Sequence, residues 1–267
     1  MFSTFPRIPG GVRYRIMADK LQKQRFEYKY HVDEGQADGI RDFLRHYMTL
    51  DEYGATRPDH SYPVHTLYLD SPDLQLYQAT INGDRNRFKL RIRYYENGDD
   101  SAVYAEIKRR YNAVITKSRA AITRESARHM ARGQLPGPAE LVKPEADSMR
   151  ALEEFNRLTS LLNAGPVAHI AYLREAWIGE DAHTRTRVTL DRQVMSEPHH
   201  DMYFSFEMKN PKVVFGDTVV LELKFTNRFP HWFKELVQAY ELKHQSAAKY
   251  VDGVALRGEH YYINEYI

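Results

Sequence analysis

The sequence predicts an α+β fold, about eight antiparallel strands with short helices set into their connections. Three observations lead there. Several segments alternate apolar and charged residues with a period of two; between them lie stretches with helical spacing of apolar residues; and no internal repeat, heptad or low-complexity tract is present.

The elements follow in order. Residues 1–24 carry Pro6, Pro9, Gly10 and Gly11 without a sustained period, and read as a flexible tail. From Arg25 to Val32, RFEYKYHV puts Phe26, Tyr28 and Tyr30 on one face and Arg25, Glu27 and Lys29 on the other, the signature of a strand. Ile40, Phe43, Leu44 and Tyr47 then fall at helical spacing in residues 34–48. A strand is expected over Ser61 to Asp70. It is followed by a helix through about Ile81, with Ser71 as cap and Pro72 at its first position.

The run DRNRFKLRIRYYE is the most regular. Arg85, Arg87, Lys89, Arg91 and Arg93 occupy one face, and Phe88, Leu90 and Ile92 the other. After the turn Asn97-Gly98-Asp99-Asp100, AVYAEIKRRY sets Tyr104, Glu106, Lys108 and Arg110 on one face, so the two segments form a hairpin. A short strand at 113–117, a helix over 118–133 ending at Gly133, a Pro- and Gly-rich connector, and a helix from about Met149 to Leu162 come next. Strands are expected at about Val167 to Ile178, Arg185 to Gln193 and Thr218 to Thr226, and a last helix near Trp232 to Tyr240. Similar charged-face strands lie on both sides of the connector, so residues 25–267 are read as a single domain.

Composition excludes several function classes. Lys plus Arg number 38 against 36 for Asp plus Glu, so no global field draws in DNA or an anionic membrane, and an anion site has to come from local clustering. Cysteine is absent, which removes disulfides and thiolate metal sites and favours the cytoplasm. The N-terminal segment has no apolar run of the ~7 residues a signal peptide needs. Nor does any stretch approach the ~20 apolar residues of a membrane span.

No GxxxxGK, GxGxxG or GxSxG motif occurs, so a nucleotide would be held by side chains. The basic run Arg85–Arg93 lacks the glycine clamp or aromatic motif of an RNA-binding module, and nucleic acid is not expected as a partner. The adjacent His199 and His200 read as a surface loop, and Trp177 and Trp232 as core or helix-packing residues.

Four segments share one feature: a face on which Arg or Lys alternates with Glu. These are Glu27 with Lys29, the run to Arg93, Glu106 with Lys108, and Glu222 with Lys224. Two architectures accommodate such faces. They are the solvated faces of a sandwich, laced with cross-strand ion pairs, or the inner wall of a barrel that binds a polyanion. Arg would then offer paired donors to phosphate oxygens, and a metal would bridge a carboxylate to the phosphates.

The ordered set RFEYKYHV, HTLYLDSPDLQLY, RFKLRIRYY, VYAEIKR, AYLREAW, RVTLDR, LELKF and AKYVDGV, from Arg25 to about Leu256, resembles the VTC domain. That is the polyphosphate-polymerase branch of the triphosphate tunnel metalloenzymes. The hydrolase and cyclase branch opens with ExExK, whereas here Arg25 precedes Glu27 and Lys29. The resemblance implies a triphosphate tunnel, an antiparallel β-barrel with peripheral helices. Its catalytic residues would be Arg91, Arg93, Lys108, Arg174 and Arg187. Lys29, Tyr172 and Lys249 would bind phosphate, with Lys117 and Arg119 as further basic positions, and Lys89 and Lys224 of the charged faces are placed with them. Glu222 would be the ligand of Mn2+ or Mg2+, with Glu27 and Glu106 as further candidates.

The implied reaction is transfer of the γ-phosphoryl group of ATP to a growing polyphosphate. Hydrolysis of tri- or polyphosphate and non-catalytic sensing are the alternatives. Ala248 stands where the polymerase pattern has Ser, which favours the sensor. The family's habit adds a separate membrane protein as a candidate partner, with docking on the inner face of a membrane.

Overall fold

The computed structural model describes residues 24–112, 114–180 and 184–263. Of the expected tail at 1–24, residues 1–23 lie outside the described residues, and Gln24 already belongs to the first strand, β1 (Gln24–Val32).

Helix α1 (Glu34–Leu44) starts where Asp33 accepts the Gln36 amide at 2.7 Å while the Gln36 side chain accepts the Asp33 amide at 3.2 Å, a capping box. It ends short of the expected Met48, because the chain must turn into β2 (Thr49–Leu50). β3 covers Ser61–Asp70, as expected.

Helix α2 (Gln75–Ile81) begins later than predicted, and Pro72 lies outside it. The buried Asp70 carboxylate accepts the amides of Ser71, Leu76 and Tyr77 at 2.8–2.9 Å, and Ser71 Oγ accepts that of Gln75. Asp70 thus satisfies the helix's first donors, at the cost of a left-handed Leu74 at the N-cap.

β4 (Asn86–Tyr94) and β5 (Val103–Tyr111) form the expected hairpin. The next strand, β6 (Val114–Ile122), is longer than predicted. The stretch 118–122, read as helix, pairs with β5 through Ile122↔Val103, and helix α3 spans only Arg124–His129 behind the Thr123 cap. Cross-strand pairing overrides the local helical pattern here.

Helix α4 (Ala146–Leu161), β7 (Gly165–Glu180), β8 (Arg185–Pro198), β9 (Lys212–Val213), β10 (Val219–Phe225) and α5 (His231–Ala239) follow. The last helix, α6 (Lys249–Arg257), was not predicted.

The ten strands form one antiparallel sheet in the order β2-β7-β3-β4-β5-β6-β1-β10-β8-β9. β7 also pairs with β8, so the sheet curls back on itself. The eight long strands match the expected number, and β2 and β9 are two-residue additions at the rim. At the β1–β6 seam, among the described residues, only Gln24↔Thr116 and Arg25↔Ile115 pair. The expected barrel is therefore a strongly curled sheet rather than a uniformly closed cylinder.

Period-two alternation puts the apolar faces outside, beneath helices. Leu90, Ile92 and Ile107 pack with Leu152 and Phe155 of α4. Leu221 and Leu223 pack with Ile40 and Leu44 of α1 and Phe233 and Leu236 of α5. Each fully buried aliphatic or Phe side chain contributes about 1.5–3 kcal/mol. Trp177 is buried, and Trp232 stacks on Tyr47 at 4.9 Å, as packing residues should. Helices having taken the outside, the charged faces turn inward. Among the described residues no helix is long and apolar enough to cross a membrane.

Candidate functional site

The inward faces enclose a cavity of about 330 Å3, and all eight long strands contribute to its lining. Among the described residues, thirteen Lys and Arg side chains line it against two Glu. Alternation explains the set: residues two apart on a strand share a face, so Lys89, Arg91 and Arg93 of β4 must point the same way.

Every residue predicted to be catalytic or phosphate-binding lies on this lining, as do Glu27, Glu222 and Arg119. Glu106 does not. It lies behind the lining, fully buried.

Two buried carboxylates organise the cations. Glu106 faces Arg91 across one strand pair and Arg119 across the other. One oxygen accepts Arg91 Nε at 2.8 Å and lies 3.7 Å from Arg93; the other accepts Arg119 Nε at 2.7 Å and lies 2.9 Å from Lys117 Nζ. Glu222 faces Lys29 across β1–β10 and borders the cavity. Lys224 Nζ approaches it at 2.6 Å, Lys249 at 3.2 Å, Lys29 at 3.6 Å and Arg174 at 3.7 Å.

Other partners set individual side chains. Glu27 pairs with Lys108 at 2.7 Å. Arg174 makes a two-pronged contact with Asp191, 2.7 Å on each side, and Lys249 lies 2.8 Å from the same carboxylate. Asp51 accepts Arg187 at 2.8 Å and the Tyr62 hydroxyl at 2.9 Å, which anchors Arg187.

Protonation follows this crowding. Burial opposes ionisation of both Glu222 and Glu106, but the surrounding cations outweigh it and hold both carboxyls well below the usual range. Burial first, and then neighbouring cations, push Lys89 and Lys108 down to about 8 and Lys224 to about 7, Glu222 and other anions only partly offsetting this. Burial would raise the hydroxyls of Tyr68 and Tyr95, yet Arg91 and Lys89 draw Tyr68 down to about 7, and Arg119 and Arg93 draw Tyr95 to about 8. The wall therefore holds protons loosely near neutral pH.

Sequence reasoning missed Asp51, Asp191, Tyr62, Tyr68 and Tyr95. For Asp191 the signal existed, since Arg187, Thr189 and Asp191 alternate on β8. For Tyr62 and Tyr68 it did not, because β3 is buried along nearly its whole length and shows no polar alternation. The pair His199–His200, expected in a surface loop, splits: His200 is exposed and His199 half-buried.

Glu222 and Glu27 offer oxygen donors only, diagonally placed across β1–β10. That set suits a hard divalent cation whose remaining ligands are phosphate oxygens and water.

The family model of the VTC domain matches residues 24–257. Among solved structures, an adenylate cyclase candidate from Bacillus halodurans is similar over 85% of this chain and 95% of its own, at 13% identity and a TM-score of 0.47. The Mediator head module of Schizosaccharomyces pombe is similar over 82% and 89%, at 9% identity and a TM-score of 0.31. No curated protein matches.

Proposed function

The chain belongs to the VTC domain family, one of polyphosphate- and nucleotide-binding tunnel enzymes, and from that membership we propose that it is an ATP-dependent polyphosphate polymerase. The observation that carries the reading is the convergence, in one cavity, of cations from β1, β4, β5, β6, β7, β8, β10 and α6. Such a wall suits a linear polyanion. Arg supplies forked donors for phosphate oxygens and Lys supplies point charge.

In the proposed reaction a terminal oxygen of the growing chain forms a bond to the γ-phosphorus of ATP. The bond from that phosphorus to the β–γ bridging oxygen breaks, and ADP leaves with the electron pair. Arg91, Arg93, Lys108, Arg174 and Arg187 hold the transferring group and its equatorial charge. Lys29, Lys89, Lys117, Tyr172, Lys224 and Lys249 grip the flanking phosphates. Positioning and electrostatic stabilisation are the main ways proteins accelerate this chemistry, so no covalent intermediate is needed. Glu222, with Glu27 nearby, would hold Mn2+ or Mg2+, which when bound neutralises phosphate charge. Glu106 is left out of the metal set because four cations occupy its oxygens and it does not reach the cavity. Asp191 and Asp51 act as positioning residues for Arg174 and Arg187.

The test is incubation of purified protein with ATP and Mn2+, followed by a gel stained for polyphosphate and assays of ADP and free phosphate. A ladder with ADP is expected. Free phosphate without a ladder would make the protein a hydrolase. Triphosphate binding without either product would make it a sensor, the reading to which Ala248 lends weight.

A further inference from the structure

A second cluster of ionisable groups lies on the opposite face of the sheet from the tunnel. There β3 sets His65 against Tyr94 of β4, and β7 pairs His169 directly with Glu197 of β8. His199 follows two residues beyond Glu197. His169 and Glu197 are buried, and His199 is 16% exposed.

The hydrogen bonds around His169 define its open position. The Tyr94 hydroxyl donates to the carbonyl of Ser205 at 2.7 Å, so towards His169 Nε2, 3.1 Å away, it can only accept. His65 Nδ1 lies 2.9 Å from the same Nε2. With Nε2 engaged by these two groups, Nδ1 is the ring nitrogen that faces Glu197 Oε1, at 3.8 Å. The other oxygen of Glu197 is taken, accepting the Asn210 amide at 2.9 Å. Glu197 Oε1 and His169 Nδ1 thus face one another in a buried place, at a separation longer than a hydrogen bond. His199 is the third member of the cluster. Its Nε2 is buried 2.9 Å from Asp201 Oδ1 but is not aligned with it as a hydrogen bond.

One ligand atom from each of His169, Glu197 and His199 falls within 4.8 Å of the others. We propose that these three residues bind one divalent transition-metal ion of the zinc class, at a site separate from the tunnel, tying the segment after β8 to the outer face of the sheet. Two imidazoles and a carboxylate are a zinc-type donor set, unlike the all-oxygen set of Glu222 and Glu27. Tetrahedral bonds of about 2.0–2.1 Å place donors about 3.4 Å apart, so a cluster within 4.8 Å closes on a metal by side-chain rotation. Its held oxygen and the His169 Nε2 hydrogen bonds supply the outer contacts that orient metal ligands. The inference is independent of what the tunnel does.

The test uses the whole chain, stripped with a chelator and titrated with Zn2+ and then Co2+, reading metal content, the visible spectrum of bound Co2+ and Tm. One zinc per chain is expected, with a tetrahedral Co2+ spectrum and a raised Tm. The same stoichiometry should persist in Glu222→Gln, and affinity should fall at least about tenfold in both His199→Ala and Glu197→Gln. His199→Ala is the principal variant because the side chain is partly exposed, and circular dichroism checks that it folds. Absence of stoichiometric zinc from the wild type, or unchanged affinity in both folded variants, would overturn the proposal and leave a hydrogen-bonded network alone.

Discussion

The tunnel's two carboxylate clusters look alike in outline and differ in the residues around them. Glu106 is fully buried behind the wall, and three of its four cations are arginines. Glu222 borders the cavity, and three of its four are lysines. A guanidinium does not give up its proton at any ordinary pH, whereas a buried lysine readily does. The Glu106 cluster is consequently fixed in charge and acts as scaffold, holding Arg91 and Arg93 towards the cavity. The Glu222 cluster can change: Lys224, at about 7, can lose its proton, and in the proposed reaction a divalent ion would take its place. The contrast assigns support to one wall and exchange to the other.

The sharpest attempt to break this picture removes the arginines that Glu106 presents. Arg91→Ala with Arg93→Ala should weaken triphosphate binding by about 3–6 kcal/mol, at ~1.5–3 kcal/mol per charge-assisted hydrogen bond, as read by calorimetry. Unchanged affinity would mean the face does not meet the ligand.

A second experiment compares the two carboxylates directly. Glu106→Gln removes the buried carboxylate shared by four cations, three of which cannot discharge, and should cost about 3–5 kcal/mol in urea unfolding. Glu222→Gln should cost about 1 kcal/mol or less, since Lys224 can release its proton and Lys29, Lys224 and Lys249 all border the cavity, while metal-dependent turnover is lost. Equal destabilisation of both variants would erase the distinction between the clusters.

The smallest effect is on pH. A bound polyanion pushes Lys89, Lys108 and Lys224 back up from about 8, 8 and 7, and raises the lowered Tyr68 and Tyr95 as well. All five shifts have the same sign, so binding takes up protons, and affinity falls as pH rises through about 7 to 9. Titrations at pH 8 in buffers of different ionisation enthalpy should reveal the uptake. A pH-independent Kd would sink it.

How much of this was legible in the sequence can be traced residue by residue. Alternation by itself grouped Lys89, Arg91 and Arg93, Glu106 with Lys108, and Glu222 with Lys224, because a strand's side-chain period is fixed by backbone geometry. The hairpin of β4 and β5 was equally legible from its turn. The continuation of β6 through 118–122 was not: its local pattern suits a helix, and only the β5 ladder makes it a strand. Helix α6, which delivers Lys249, was also missed. Its start at Ala248 lacks a capping side chain, and packing of Tyr250, Val251 and Val254 holds it in place.

Sequence by itself therefore determined which residues share a face and which faces are charged, since both follow from periodicity along one strand. Only the tertiary structure decided that the charged faces turn inward. Helices α1, α4 and α5 cover the apolar faces, and curling by the β7–β8 pairing encloses the others. It also decided that Glu106 braces the wall while Glu222 opens to the cavity, and that His169 and Glu197 meet. Those distinctions depend on which strands become neighbours, a relation between distant segments that no local pattern encodes.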